Sequence, residues 1–199
     1  MGIDGRTAAG KTTLADELVG LIERRGRTVI RACIDDFPRP SNEKYVLGRM
    51  SPEGYYLHSF AYEKVQQDLR APLGPGGTRQ YRPSGWLSED GQPMENPSEV
   101  AAQDSILLCD GVFLFRPELD DYWDYRIFVE ITPELSLLRG VPRDAGWVGS
   151  EEEARRRYKE RWIPGEQVYI DRVRPTEKAD LVIDNSDPLN PRPMFNRSG

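Results

Sequence analysis

Apolar runs of strand length alternate with helical patterns along the chain. Four such runs are Thr28–Ile34, Ser105–Cys109, Arg126–Ile131 and Leu181–Ile183, and Met1–Asp4 forms a shorter one before a glycine-rich turn. This alternation is typical of α/β proteins with a parallel sheet. We therefore predict a three-layer α/β/α fold around a mainly parallel sheet of five strands.

Helical periodicity marks the segments between these runs. In residues 11–25, leucines recur at steps of three and four, which places them on one face of a helix. Residues 60–69 form a second predicted helix. Pro133 suits the first turn of a third helix, which is predicted to run to Arg139.

Length and composition indicate one folded domain. The chain has 199 residues, of which 38% are hydrophobic and 30% charged, and domains average about 150 residues. Such a composition excludes a disordered chain. The proline-rich residues 187–195 are predicted to be irregular.

Charge and cysteine usage exclude several classes of partner. The net charge of −6 argues against nucleic acid, because backbone phosphates are bound by basic surfaces. The apolar runs are too short to cross a bilayer and no charged-then-apolar leader opens the chain, so neither a membrane partner nor a secretion signal is predicted. Cys33 and Cys109 resemble buried thiols of a reducing compartment, so we predict a cytoplasmic protein.

A glycine-rich turn carries the first chemical motif. Gly5–Thr12 reads GRTAAGKT and fits G-x-x-x-x-G-K-[ST], in which main-chain amides, a helix N-terminus and a lysine hold phosphates. The Lys11 ammonium can reach the β- and γ-phosphates of a nucleoside triphosphate. The predicted ATP-binding residues are Gly5, Arg6, Thr7, Ala8, Ala9, Gly10, Lys11, Thr12 and Thr13.

A carboxylate at the end of a buried strand forms the second motif. Asp110 closes the run Ile-Leu-Leu-Cys-Asp, a pattern that can hold Mg²⁺ beside a phosphate loop. The Thr12 hydroxyl is the second predicted metal ligand. The two motifs together indicate ATP as phosphoryl donor and Mg²⁺ as cofactor.

The acids after the second strand are candidates for proton transfer. Asp35 and Asp36 lie where ligands gather in open α/β folds, and a carboxylate there can accept a hydroxyl proton during attack on the γ-phosphate. A turn or helix-cap aspartate is the alternative. The chain has no Asn-Lys-x-Asp motif, which excludes a guanine-nucleotide switch. It also has no His-Arg-Asp or Asp-Phe-Gly motif, which excludes a protein kinase.

Taken in order, GRTAAGKTT, IDDF and LLCDGVFLF resemble the uridine kinase family of P-loop nucleoside kinases. Nicotinamide riboside kinases are close relatives of that family, and phosphoribulokinase and one class of pantothenate kinase are more distant. The resemblance runs from about Gly5 to Pro188. It implies a P-loop NTPase fold with a helical lid, with an acceptor-binding insertion over about 38–100 and the lid over about 139–165.

The resemblance also assigns roles to single residues. It implies that Asp35 is the catalytic base and binds the acceptor hydroxyl together with Phe37 of the same turn, and that Asp110 is the metal-linked acid. Arg139 and Arg143 resemble lid arginines that neutralise the transferring phosphoryl group, with Lys11 as the third cation. The segment Gly146–Gly149 is predicted to be the hinge of this lid.

The acceptor side departs from the family pattern. Tyr81 stands where the family places an aromatic residue against the nucleobase, but Arg82 and Pro83 follow it, and Trp86 replaces a base-contacting histidine. Core packing is an equal alternative for Tyr81 and Trp86. For Arg155–Arg157 a solvated helix with internal ion pairs is favoured over a role in the site.

The function predicted from these residues is phosphorylation of a small hydroxyl-bearing molecule by ATP, first of all the 5′-hydroxyl of a nucleoside. A kinase of a sugar, vitamin or specialised metabolite would share every donor-side residue, and a nucleotide-binding regulator without transfer activity is the third alternative. The acceptor, the choice between ATP and GTP, and the oligomeric state stay open.

Overall fold

A six-stranded sheet organises the molecule, whose computed structural model describes residues 1–84 and 97–195. The strands are β1 Gly2–Gly5, β2 Val29–Cys33, β3 Gln80–Tyr81, β4 Glu99–Val100, β5 Ile106–Asp110, β6 Arg126–Glu130, β7 Leu181–Asp184 and β8 Arg192–Phe195. In the main sheet their order is β2-β5-β1-β6-β7-β8, while β3 and β4 form a separate antiparallel pair. The carboxyl ends of β1, β2 and β5 lie side by side, and this edge of the sheet holds the motifs.

Five strands of the main sheet are parallel, as predicted. The sixth strand, β8, was not predicted from the sequence. β8 pairs antiparallel with β7, with Pro193 opposite Ile183 and Met194 opposite Val182. The tail predicted to be irregular therefore contains a strand. Proline is tolerated there because β8 is an edge strand, so the missing N–H leaves no central ladder bond unmade.

Helices cover both faces of the sheet. They are α1 Lys11–Glu23, α2 Ser41–Lys44, α3 Pro52–His58, α4 Tyr62–Val65, α5 Ala71–Leu73, α6 Pro133–Val148, α7 Glu151–Arg157, α8 Ile163–Val173 and α9 Pro175–Lys178. A π-helical turn over Gln66–Arg70 joins α4 to α5, and another over Tyr158–Trp162 joins α7 to α8. Within the described ranges, no helix is long and apolar enough to cross a membrane.

The core has two parts, one on each face of the sheet. On β6, Ile127 and Val129 pack with the α1 side, whereas Phe128 between them packs with the lid side. This follows from the alternation of side chains along a strand. The three-layer α/β arrangement predicted from the sequence is confirmed.

The predicted lid segment is a helical hairpin. α6 continues well past Arg139 to Val148, with Pro142 inside it, and its contacts with α7 offset the poor fit of proline to a helix. Within the predicted hinge, Gly146 lies inside α6, and Gly149, with a φ of 109°, ends the helix. The Ser150 hydroxyl then accepts from the amide of Glu153 and starts α7.

Candidate active site

The turn between β1 and α1 has the backbone shape that a phosphate site needs. Gly5 and Gly10 have φ angles of 151° and 95°. A Cβ on Gly5 would lie 2.3 Å from the carbonyl oxygen of Val129, and one on Gly10 would lie 2.7 Å from Nδ2 of Asn185. Both positions therefore require glycine, because each combines a positive φ with a close neighbour.

Several main-chain amides of this turn have no protein acceptor. α1 begins without a side-chain cap, and in the described part of the chain no acceptor is found for the amides of Ala8, Gly10, Lys11, Thr12 and Thr13. The Lys11 ammonium folds back against the turn and donates to the carbonyl oxygen of Arg6 at 2.8 Å. Unpaired amides at a helix N-terminus beside a lysine form an anion site.

The turn faces one side of a cavity of about 590 Å³. Among the predicted ATP-binding residues, Thr7, Ala8, Lys11 and Thr12 line this cavity. Arg6 instead points away from it, because its guanidinium pairs with Glu166 and Gln167 of α8. The other predicted ATP-binding residues, Gly5, Ala9, Gly10 and Thr13, do not line the cavity.

Asp35 reaches the same cavity from the end of β2. A 3₁₀ turn over Ile34–Asp36 follows the strand and places Asp35, an exposed residue, at the wall of the cavity. Desolvation raises the pKa of this carboxyl; the Lys11 ammonium opposes the rise and the Asp110 carboxylate adds to it. A raised pKa brings the group nearer to neutral pH, where a general base is most effective.

The two predicted metal ligands are in direct contact. The Thr12 hydroxyl donates to Oδ2 of Asp110 at 2.6 Å, and Nη2 of Arg31 donates to the other carboxylate oxygen at 2.9 Å. Asp110 is 1% exposed and also lines the cavity. One hydroxyl and one carboxylate oxygen beside a phosphate loop fit Mg²⁺, which binds through one or two protein oxygens and takes its other ligands from phosphates and water.

The two predicted lid arginines occupy different places. Arg143 lines the cavity, and its guanidinium donates to both carboxylate oxygens of Asp144 at 2.8 and 2.9 Å. Arg139 does not reach the cavity wall: it donates to the carbonyl oxygens of Asn185 and Ser186, both at 2.9 Å. Arg139 thus connects α6 to the segment after β7.

Two of the predicted acceptor-binding aromatics, Phe37 and Tyr81, lie away from the cavity. Phe37 is fully buried beneath the Asp35 turn, and Tyr81 is buried with its hydroxyl donating to Glu99 at 2.7 Å. Neither lines the cavity. Trp86 lies outside the described residues. Core packing, the alternative considered for Tyr81, describes its position.

Sequence reasoning missed the opposite wall of the cavity. Lys44, Arg49 and Arg161 line it together with Tyr45 and Tyr55. Residues 38–58 carry no known motif, and Arg161 sits in an arginine-rich helix that reads as a solvated surface. A lysine and an arginine close after Asp35 were the one available signal.

No family model matches the chain. Comparison with curated proteins, however, finds similar kinases. Uridine-cytidine kinase B of Dictyostelium discoideum is 25% identical over 92% of this chain and 73% of its own length. The uridine kinase of Leuconostoc citreum is 27% identical over 72% of this chain and 67% of its own length. The resemblance to the uridine kinase-like P-loop kinases is confirmed.

A solved structure supports the same fold for this uridine kinase-like chain. The structure of a possible uridine kinase from Bacillus stearothermophilus superposes with a TM-score of 0.67 at 21% identity, covering 91% of this chain and 85% of that one. The superposition shows the P-loop kinase fold, and identities of this size leave the acceptor open.

Proposed function

We propose that this protein transfers the γ-phosphoryl group of ATP to a hydroxyl of a small molecule, with Mg²⁺ as cofactor. One observation carries the proposal: Lys11, Asp35 and the contacting pair Thr12–Asp110 all line one cavity. A donor site, a metal site and a base are thus within one enclosure. Phosphoryl transfer needs positioning and electrostatic stabilisation more than covalent chemistry.

Each group has a defined task in this proposal. The free amides of the turn and Lys11 hold the β- and γ-phosphates of ATP. Thr12 and Asp110 would hold Mg²⁺, which would neutralise phosphate charge during transfer. Asp35 orients the acceptor hydroxyl and takes its proton. The acceptor oxygen then bonds to the γ-phosphorus as the bond to the β,γ-bridging oxygen breaks, and ADP leaves.

Arg143 completes the set from the lid. Its guanidinium lines the cavity, and its charge acts on Asp35. We assign it to the charge that spreads over the migrating phosphoryl group. Arg139, whose donors are engaged with two carbonyl oxygens, is assigned to holding the segment after β7 instead.

The 5′-hydroxyl of a nucleoside is the first acceptor to test, because the named relatives are uridine and uridine-cytidine kinases. A different small metabolite is the second candidate. The position of Tyr81 favours it, since the aromatic residue expected against a nucleobase is buried away from the cavity.

The test is a transfer assay with the full chain, Mg²⁺ and ATP against nucleosides, riboses and pantothenate-like alcohols, with phosphorylated products detected by mass spectrometry. Asp35→Asn is expected to keep ATP binding and to slow single-turnover transfer by a factor of about 10² to 10⁴. The matched control is Asp36→Asn, the neighbouring acid that does not line the cavity. An unchanged chemical step in Asp35→Asn would remove the base, and ATP binding without any phosphorylated acceptor would favour a regulator.

A further inference from the structure

Three cations on one wall of the cavity have no acidic partner. Lys44, Arg49 and Arg161 form what we call the cationic wall, and no carboxylate of residues 1–84 or 97–195 lies within ion-pair distance of them. The lid arginines of the same cavity differ in this respect. Arg143 pairs with Asp144, and both Arg156 and Arg157 pair with Glu153.

Arg161 is the buried member of the cationic wall. It is 4% exposed, and its Nη1 donates to the carbonyl oxygen of Arg49 at 2.6 Å and, at 3.4 Å, to that of Ser51. Its Nη2 has no hydrogen-bond partner among the described residues. The rings of Tyr45 and Tyr55 lie on it, with centroids 5.2 and 5.4 Å from the guanidinium carbon. Carbonyls and ring faces stabilise a cation, but they supply no neutralising charge.

The cationic wall lies on the acceptor side of the cavity. Lys44 and Arg49 belong to the segment that follows Asp35 in the chain, and the Lys44 charge acts on Asp35. Tyr55 links the two regions: its ring contacts Arg161, and it lines the same cavity as Thr7 and Asp35. For ATP, the phosphate turn, which is the turn between β1 and α1, already offers unpaired main-chain amides and Lys11, and Arg143 of α6 adds a further cation. We therefore assign the three further cations to the acceptor rather than to ATP.

We propose that the acceptor carries an oxyanion, a carboxylate or a phosphate monoester, in addition to its reacting hydroxyl, and that Arg161, Arg49 and Lys44 bind it. The inference rests on the kinase function proposed above and narrows its substrate class. A neutral acceptor would leave a buried guanidinium uncompensated once it displaced water from the cavity, which is costly. An oxyanion supplies the missing charge and accepts charge-assisted hydrogen bonds from arginine.

The test compares alcohols that differ only in the anion, using the full chain with saturating Mg²⁺ and ATP. The pairs are uridine and uridine 3′-phosphate, and pantothenol and pantothenate, so that phosphate and carboxylate are separate arms. We expect kcat/KM for the anionic member to exceed that of its neutral partner by about 10-fold or more, the value of one charge-assisted hydrogen bond. Equal or better use of the neutral members overturns the inference and leaves the kinase function intact.

Arg49→Gln provides the variant, because Arg49 is exposed and its guanidinium lies over the Tyr45 ring. It should raise KM for the anionic acceptor about 10-fold, with KM for ATP unchanged, and Arg49→Lys should recover most of the loss. Arg155→Gln, an exposed lid arginine outside the cavity, is the matched control. A raised KM for ATP in Arg49→Gln would assign the cationic wall to the donor and overturn the inference.

Binding measurements decide the case in which no alcohol of the panel is phosphorylated. With the phosphate turn saturated by Mg²⁺ and a non-hydrolysable ATP analogue, inorganic phosphate and malonate are titrated by calorimetry into wild type and Arg49→Gln. Saturable binding in wild type that Arg49→Gln weakens supports an oxyanion site, and its absence from wild type overturns it. Failure of the ATP analogue itself to bind would contradict the proposed function instead.

Discussion

The Glu166 carboxylate accepts two hydrogen bonds from Thr7, one from its amide at 2.7 Å and one from its hydroxyl at 2.6 Å. Thr7 belongs to the phosphate turn and Glu166 to α8, so the pair joins the end of the helical hairpin to the donor site. Glu166 is 2% exposed, and its other oxygen lies 3.5 Å from Nη1 of Arg6. The turn is therefore fixed by a buried acid as well as by its glycines.

Glu166→Gln should destabilise the fold through Arg6. Glutamine can still accept from Thr7, but its amide nitrogen would face the Arg6 guanidinium and leave a buried cation unpaired. Breaking a buried ion pair costs about 3 to 5 kcal/mol, and we expect a loss of this order in the free energy of unfolding, measured by urea denaturation. Glu160→Gln, an exposed position of the same helical run, should have no effect.

Removing both charges separates the contribution of the Arg6–Glu166 ion pair to stability from the contribution of packing. Arg6→Met combined with Glu166→Gln should be more stable than Glu166→Gln alone, because no charge is then left unpaired. Additive losses in the double variant would show that Arg6 and Glu166 act independently, contrary to this account.

Asp4 should make stability depend on pH in a defined window. Its buried carboxylate accepts from the amides of Phe113, Leu114 and Phe115 and from the Tyr169 hydroxyl. Desolvation nevertheless raises the pKa of Asp4 to about 6. Because the folded state then holds its proton more tightly than the unfolded state, this group lowers stability as pH rises from about 4 to about 6, by on the order of 3 kcal/mol in total.

Comparison with Asp4→Asn isolates this contribution. The difference in unfolding free energy between wild type and Asp4→Asn should shift against wild type across that pH range and be constant above it. Glu17→Gln, an exposed acid of α1, should give a difference that does not change with pH. A pH-independent difference for Asp4→Asn would mean that its carboxyl is ionised throughout.

The donor side could be predicted from the sequence because its residues follow strand ends. In a parallel sheet the carboxyl ends of neighbouring strands meet at one edge, so Asp110 at the end of β5 and Thr12 at the start of α1, which follows β1, are expected to be neighbours. The spacing of Gly5 and Gly10 predicts the shape of the turn between β1 and α1. Asp35 follows the same rule from β2, which pairs with β5.

The acceptor side depends on tertiary packing that no local pattern encodes. Phe37 was expected at the acceptor but is buried, because a large aromatic beneath a tight turn gains more from the core than from a polar cavity. Arg161 was missed for the opposite reason: in a run of arginines, only packing against Tyr45 and Tyr55 distinguishes the buried one. The length of α6 was also set by packing, which outweighs Pro142.

Asp110→Asn should weaken the binding of Mg²⁺. Its oxygen beside Thr12 would lose its charge, and we expect the Mg²⁺ concentration for half-maximal rate to rise about 10- to 100-fold, the usual effect of losing a group that holds or orients a metal ligand. Initial rates at fixed ATP and varied Mg²⁺ measure it.

Asp16→Asn is the matched control for Asp110→Asn. Asp16 pairs with the same Arg31 nitrogen, at 3.1 Å, but is exposed and does not touch Thr12. Its loss should leave the Mg²⁺ dependence unchanged. Equal shifts in the two variants would assign the effect to Arg31 rather than to the metal.

Two glycines of α6 should respond oppositely to alanine. A Cβ on Gly140 would lie 1.8 Å from the Tyr158 hydroxyl oxygen, whereas nothing lies within 4 Å of one on Gly146. Gly140→Ala should therefore lower the free energy of unfolding by about 1 to 3 kcal/mol through overpacking. Gly146→Ala should raise it by about 0.5 to 1 kcal/mol, because alanine is the better helix former.

Activity measurements test whether the α6–α7 hairpin contributes to transfer as well as to stability. The Tyr158 hydroxyl donates to Asp144 at 2.7 Å, and Asp144 in turn binds the Arg143 guanidinium in the cavity. Displacing Tyr158 by Gly140→Ala should therefore slow transfer even at temperatures where the variant is fully folded, whereas Gly146→Ala should keep the wild-type rate. If Gly146→Ala were the slower of the two, the end of α6 would bend during the reaction, as the predicted hinge over residues 146–149 requires.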